Sequence, residues 1–71
     1  MKFIQILPFE YDYKLEIFEL EIIYLNIDQI KYISPINETG FCEIVLLNDE
    51  KILSLQPLYR ILEEINKANN L

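Results

Sequence analysis

The chain contains no histidine, a single cysteine at Cys42 and a single glycine at Gly40. Without His, acid and base work near neutral pH would fall to carboxylates, Lys or Tyr tuned by burial. One glycine leaves no phosphate loop and no dinucleotide fingerprint. One cysteine cannot close an internal disulfide, and small secreted domains usually rely on several, so a reducing cytoplasm is the expected setting. Basic residues are also scarce. Six Lys and Arg stand against 12 Asp and Glu, and the net charge of −6 has the opposite sign from a protein that neutralises phosphates on nucleic acid or anionic membrane. The apolar runs are broken by charges well short of the roughly 20 residues a membrane helix needs. The opening run from Met1 to Pro8 is too short for a signal peptide and lacks a small-residue cleavage site. These absences argue against an enzyme, a cofactor, a metal site, direct nucleic acid contact and a membrane span.

What remains is 71 residues, room for one domain over 1–71, of which 52% are apolar. A chain this short hides only about 60% of the surface its unfolded form exposes, so its core must be efficient or shared with a partner. The weight of Ile and Asn relative to Ala and Arg suggests an AT-rich gene, as in a low-GC bacterium, its phage or a mobile element.

The pattern along the chain predicts mostly strands. Lys2–Leu7 reads as a first strand ended by Pro8, with Pro8–Asp12 as a turn. From Lys14 to Tyr24, Leu15 and Ile17 share one parity while Phe18, Leu20, Ile22 and Tyr24 share the other. A bulge or bend is expected between Ile17 and Phe18; helix is the competing reading of this glutamate-rich run. Asn26–Gln29 reads as a turn or one helical turn with Asn26 as its cap. Ile30–Ser34, ended by Pro35, and Phe41–Leu47 flank a hairpin turn over Asn37–Gly40. Asn48, Asp49 and Glu50 then turn into a short strand, Lys51–Leu55. Leu58, Ile61, Leu62 and Ile65 mark an amphipathic helix from Pro57 to Lys67, with Pro57 at its first position, Gln56 or Ser54 as cap, and Asn69, Asn70 and Leu71 trailing into solvent. The expected fold is α+β: an antiparallel sheet of four to five strands with one C-terminal amphipathic helix packed on it.

Within that frame Cys42, Ile44 and Leu46 point one way, and Phe41, Val45 and Leu47 the other. A strand apolar on both faces is central or is covered by a second subunit. Tyr24 and Tyr32 lie near it, and Tyr is enriched where proteins meet. Tyr24, Tyr32, Phe41, Val45 and Leu47 are therefore the expected protein interface. Cys42 has no His to make its thiolate, and apolar neighbours should raise its pKa, so it reads as a core residue rather than a nucleophile. Glu10, Asp12, Glu16, Glu19 and Glu21 form the one candidate acidic surface; solvated faces and edge protection explain such residues as well as a metal or general acid does.

The order "IYLNIDQIKYISP", a Gly-containing turn and "FCEIVLLNDEKILSLQPLYRILEEI", from Ile23 to Ile65, resembles the small FlbD-like flagellar proteins and the body of LytTR-type DNA-binding domains. In both, a strand leads into an apolar hairpin, and a short strand runs into a helix through a step like Ser54-Leu55. The resemblance implies architecture only. LytTR-type domains bind DNA through basic residues, and the matching segments here carry Glu38, Glu43, Asp49 and Glu50 against Lys31 and Lys51. The turn Asn48-Asp49-Glu50 lacks the Gly of the FlbD-like pattern.

Two functions are compatible with these residues. The first is a small non-enzymatic adaptor, regulator or inhibitor that contacts another protein through an apolar sheet surface, as a homo-oligomer. The alternative is an acidic mimic of nucleic acid that blocks a DNA- or RNA-binding enzyme, which requires the five carboxylates on one face.

Overall fold

The protein, described over residues 2–70 by a computed structural model, is α+β. Its elements run β1 (Phe3–Ile6), β2 (Pro8–Tyr11), β3 (Ile17–Glu19), β4 (Ile23–Asn26), β5 (Ile30–Ile36), β6 (Phe41–Leu46), β7 (Lys51–Ser54) and α1 (Leu58–Asn69). All pairs are antiparallel. They make a five-stranded sheet in the order β3-β2-β7-β6-β5 and a two-stranded sheet of β1 and β4. No described helix is long and apolar enough to cross a membrane.

The strands outnumber the expectation because one bent ribbon serves both sheets. β1 pairs with β4 and β2 with β3, but between Ile6↔Ile23 and Phe9↔Glu19 two residues, Leu7 and Pro8, oppose three, Leu20–Ile22. The expected bulge is thus present in this stretch but at another place. It lies beyond β3 rather than between Ile17 and Phe18, where the ladder is regular. The segment from Pro8 is a strand and not the expected turn. Pro8 accepts from the Leu20 amide at 2.9 Å, and its own missing donor falls where the bulge already interrupts the ladder. The chain reverses at Asp12–Glu16 instead, with Leu15 at φ 61°.

The remaining turns follow local chemistry. The Asn26 side chain accepts from the Asp28 amide at 3.0 Å and caps a 3-10 turn, Ile27–Gln29. In the β5–β6 hairpin Asn37 and Gly40 take positive φ, and the Thr39 hydroxyl donates to the Ile36 carbonyl while accepting from the Phe41 amide. Pro35 does not end β5, because an edge strand tolerates a missing donor. Lys31 is an extra residue between Ile30↔Leu46 and Tyr32↔Val45, and its ammonium lies 2.9 Å from Asp49 in the next turn.

The core fills the space between α1, the small sheet and one face of the large sheet. Ile4 and Ile6, Cys42 and Ile44, and Ile61 and Ala68 meet there, with Ile23, Leu25, Ile33, Ile52 and Ile65 around them. Alternation accounts for the strand contributions, as expected for Cys42 and Ile44. On the helix the inward stripe is Leu58, Ile61, Ile65 and Ala68; Leu62, expected inside, is 50% exposed on the flank. Pro57 is extended (ψ 160°) and stands before the helix rather than inside it, its carbonyl accepting from Arg60 and Ile61. The helix extends past Lys67 to Asn69; Asn70 is exposed, and Leu71 lies outside the described residues.

Neither Ser54 nor Gln56 caps the helix. The buried Ser54 hydroxyl donates to Gln56 Oε1 at 2.6 Å, and the same oxygen accepts from the Leu7 amide at 3.1 Å. Gln56 Nε2 donates to the Gln5 carbonyl at 3.0 Å, and the Leu55 amide donates to the Leu7 carbonyl. One carboxamide thus serves the Gln5 carbonyl and the Leu7 amide where the ribbon crosses between sheets.

These contacts order the expected effects of substitution in chemical denaturation. Ile61→Asp places an unpaired charge in the core and should lower stability by about 3–5 kcal/mol. Gln56→Ala removes the side-chain hydrogen bonds to Gln5, Leu7 and Ser54 and should lower stability by about 0.5–1.5 kcal/mol. Val45, on the large sheet's other face, is only 2% exposed, so Val45→Glu should destabilise the isolated chain as well.

Candidate functional site

The core occupies one face of the five-stranded sheet, and the opposite face is left without a helix or second sheet over it among the described residues. The register assigns its members. Phe9 and Tyr11 on β2 oppose Glu19 and Ile17 on β3, Leu53 on β7 lies between Phe9 and Glu43, and Val45 lies between Tyr32 on β5 and Lys51 on β7. Phe41 at the start of β6 completes an aromatic cluster. Its ring centroid is 5.0 Å from that of Phe9, which meets Tyr11 edge-on at 5.2 Å. The Lys51 ammonium is 3.9 Å from the Glu43 carboxylate, which leaves Glu19 as the one uncompensated charge among these residues.

Three of the five expected interface residues, Tyr32, Phe41 and Val45, therefore share this face. Val45 itself is closed off by its ladder neighbours, so its side chain is not offered to a partner; Phe41 is half-buried against Phe9, and Tyr32 is 51% exposed. Tyr24 lies elsewhere. Opposite Gln5, it stands on the outer face of the small sheet, 70% exposed. Leu47 follows the end of β6, where its amide donates to the Gln29 carbonyl and its side chain is 58% exposed. Sequence reasoning missed Phe9, Tyr11 and Ile17. The alternation of Phe9 and Tyr11 after Pro8 was the available signal, and reading Pro8–Asp12 as a turn concealed it.

The five carboxylates do not share one face. Glu10 opposes Phe18 on the helix side of the ribbon, while Glu19 opposes Phe9 on the other. Asp12 is engaged in the tip, its Oδ1 accepting from the Lys14 and Glu16 amides at 2.8 Å each. Glu21 lies beside an open groove of about 500 Å³ that Leu20, Ile23, Pro8, Glu10 and Ile52 also line, where the ribbon departs from β7. The single face that a nucleic-acid mimic needs is thus not formed. Among the described residues no three Cys, Asp or Glu side chains gather into a metal-binding group. Cys42 is fully buried, and burial pushes its thiol above the ordinary value, the opposite of what activates a nucleophile.

The exposed apolar side chains are concentrated on the ribbon. Leu15, Ile17, Phe18, Leu20, Ile22 and Tyr24 are all exposed within ten residues. No protein-family model, curated protein or solved structure matches the chain, and the likeness to FlbD-like proteins and LytTR-type domains rests on the sequence pattern alone.

Proposed function

We propose that this protein is a non-enzymatic interaction module of the cytoplasm whose uncovered sheet face pairs with a second copy of the chain, the dimer then acting as an adaptor, regulator or inhibitor by protein contact. The observation that carries this reading is the surface formed by exposed Tyr11, Ile17 and Tyr32 and half-buried Phe41, with Phe9 buried beneath its aromatic neighbours. It has no cover of its own, and contiguous apolar surface of this kind marks sites of association. Charge is consistent with self-pairing on this face. The chain as a whole is at −6, but Lys51 and Glu43 neutralise each other and only Glu19 is left over. Two such faces brought together enclose a second core in the manner of packed sheets. A free, fully buried thiol suits a reducing compartment.

Light scattering during size-exclusion chromatography, at low and at high salt, decides the matter. The expected result is a dimer whose stability is little changed by salt, because apolar burial is not screened. Replacing Tyr11 and Tyr32 together by Lys should yield a folded monomer, its circular dichroism unchanged, since both side chains are exposed. A wild-type chain that elutes as a monomer at high concentration overturns self-pairing on this face.

A further inference from the structure

We propose that the free edge of β3 receives an extended, basic and apolar segment of another protein as an added strand. The site differs from the sheet face and does not depend on whether that face pairs.

Two other strand edges carry devices that β3 itself lacks. β5 ends the large sheet on one side, and there Pro35 removes a donor and the Lys31 bulge distorts the edge, both common ways of blunting it. At the end of β1 the Gln5 carbonyl and the Leu7 amide are taken by the Gln56 carboxamide. β3 ends the large sheet on the opposite side, with neither Pro nor bulge within Ile17–Glu19. The direction of its backbone groups follows from its neighbours. Leu20 donates to the Pro8 carbonyl and Asp12 donates to the Glu16 carbonyl, so alternate residues Glu16, Phe18 and Leu20 turn toward β2. Ile17 and Glu19 accordingly direct their amides and carbonyls outward, in the spacing that an added antiparallel or parallel strand uses.

The surrounding charge selects the occupant. From β2 to the start of β4 the ribbon holds Glu10, Asp12, Glu16, Glu19 and Glu21 against one cation, Lys14. A second copy laid along this edge would set carboxylates against carboxylates, and an acidic partner would fare no better. A segment alternating Lys or Arg with apolar residues satisfies both components. Ile17 and Glu19 share one face of β3 and Glu16 and Phe18 the other, so each face of the added segment, the cationic and the apolar, meets a carboxylate and an exposed apolar side chain.

The test uses the full chain and three synthetic decapeptides with blocked ends: alternating Lys and Val, alternating Glu and Val, and Lys–Val carrying N-methyl groups on its valines. Affinity is measured by fluorescence anisotropy and the contact by amide hydrogen exchange in NMR spectra. The Lys–Val peptide should bind, more weakly at high salt, and should slow exchange of the Ile17 and Glu19 amides in particular. The Glu–Val and N-methyl peptides should bind about tenfold more weakly or worse, as lost backbone pairing and opposed charge require. Glu19→Pro, which removes an outward donor and leaves the β2 ladder intact, should cost about tenfold as well, and Glu19→Ala less. Absence of Lys–Val binding, equal binding of Glu–Val, or binding without protection at Ile17 and Glu19 overturns the proposal. If Glu19→Pro does not fold, the N-methyl peptide still decides the backbone contribution on the unaltered protein. The mass in solution reports separately on the sheet face, so failure here and failure of self-pairing are distinguishable.

Discussion

A two-stranded ribbon that passes from one sheet to another must interrupt its hydrogen bonding at the crossing, and the rest of this structure depends on how that interruption is satisfied. At Leu7 and Pro8 the ribbon leaves β7 and turns over the core, with an extra residue on the opposing strand to accommodate the bend. The backbone groups exposed by the departure would be costly if left unpaired. Gln56 meets them with one side chain, bonded to Gln5, Leu7 and Ser54, at the point where β7 hands over to α1. The same clasp therefore positions the small sheet and the helix relative to each other, and Ile4, Ile6 and Ile61 can meet Cys42 and Ile44 across the interior.

That arrangement also explains the asymmetry of the large sheet. With α1 and the small sheet both on one side, the described residues supply cover for only one of its faces. The other face closes locally by side-chain neighbours, as Val45 does between Tyr32 and Lys51, and by the aromatic contacts of Phe9. A chain of this length cannot enclose two cores by itself, which is the physical reason that apolar side chains remain on its surface. Charge is distributed in a complementary way. The open face is nearly neutral, whereas the ribbon carries carboxylates on both of its sides and at its tip.

Much of the fold was legible because local patterns carried it. Alternation placed Cys42 and Ile44 inward, the Asn37–Gly40 turn and the Asn26 cap had short-range signatures, and the helix showed its periodicity. Leu62 was misplaced because a 3.6-residue period defines a stripe without defining which of its margins meets the sheet. Pro8 and Pro35 were read as strand ends, since a missing donor is harmful only if the neighbouring strand calls for it, and the neighbours were unknown. For the candidate site, Phe41 was found by alternation on β6 and Tyr32 by residue type beside that strand, while Phe9 and Tyr11 were lost with β2, whose residues read as a turn.

The sequence by itself determined the class of the protein: α+β elements, a buried thiol and a strongly acidic surface, all consequences of residue type and spacing of two or about four along the chain. Only the tertiary structure decided which faces and edges stay open. Phe9 and Phe41 are brought into ring contact by the placement of β7 between β2 and β6, and Gln56 reaches Gln5 by the same folding. Such pairings depend on which strands become neighbours, a long-range outcome of packing that local preferences do not encode.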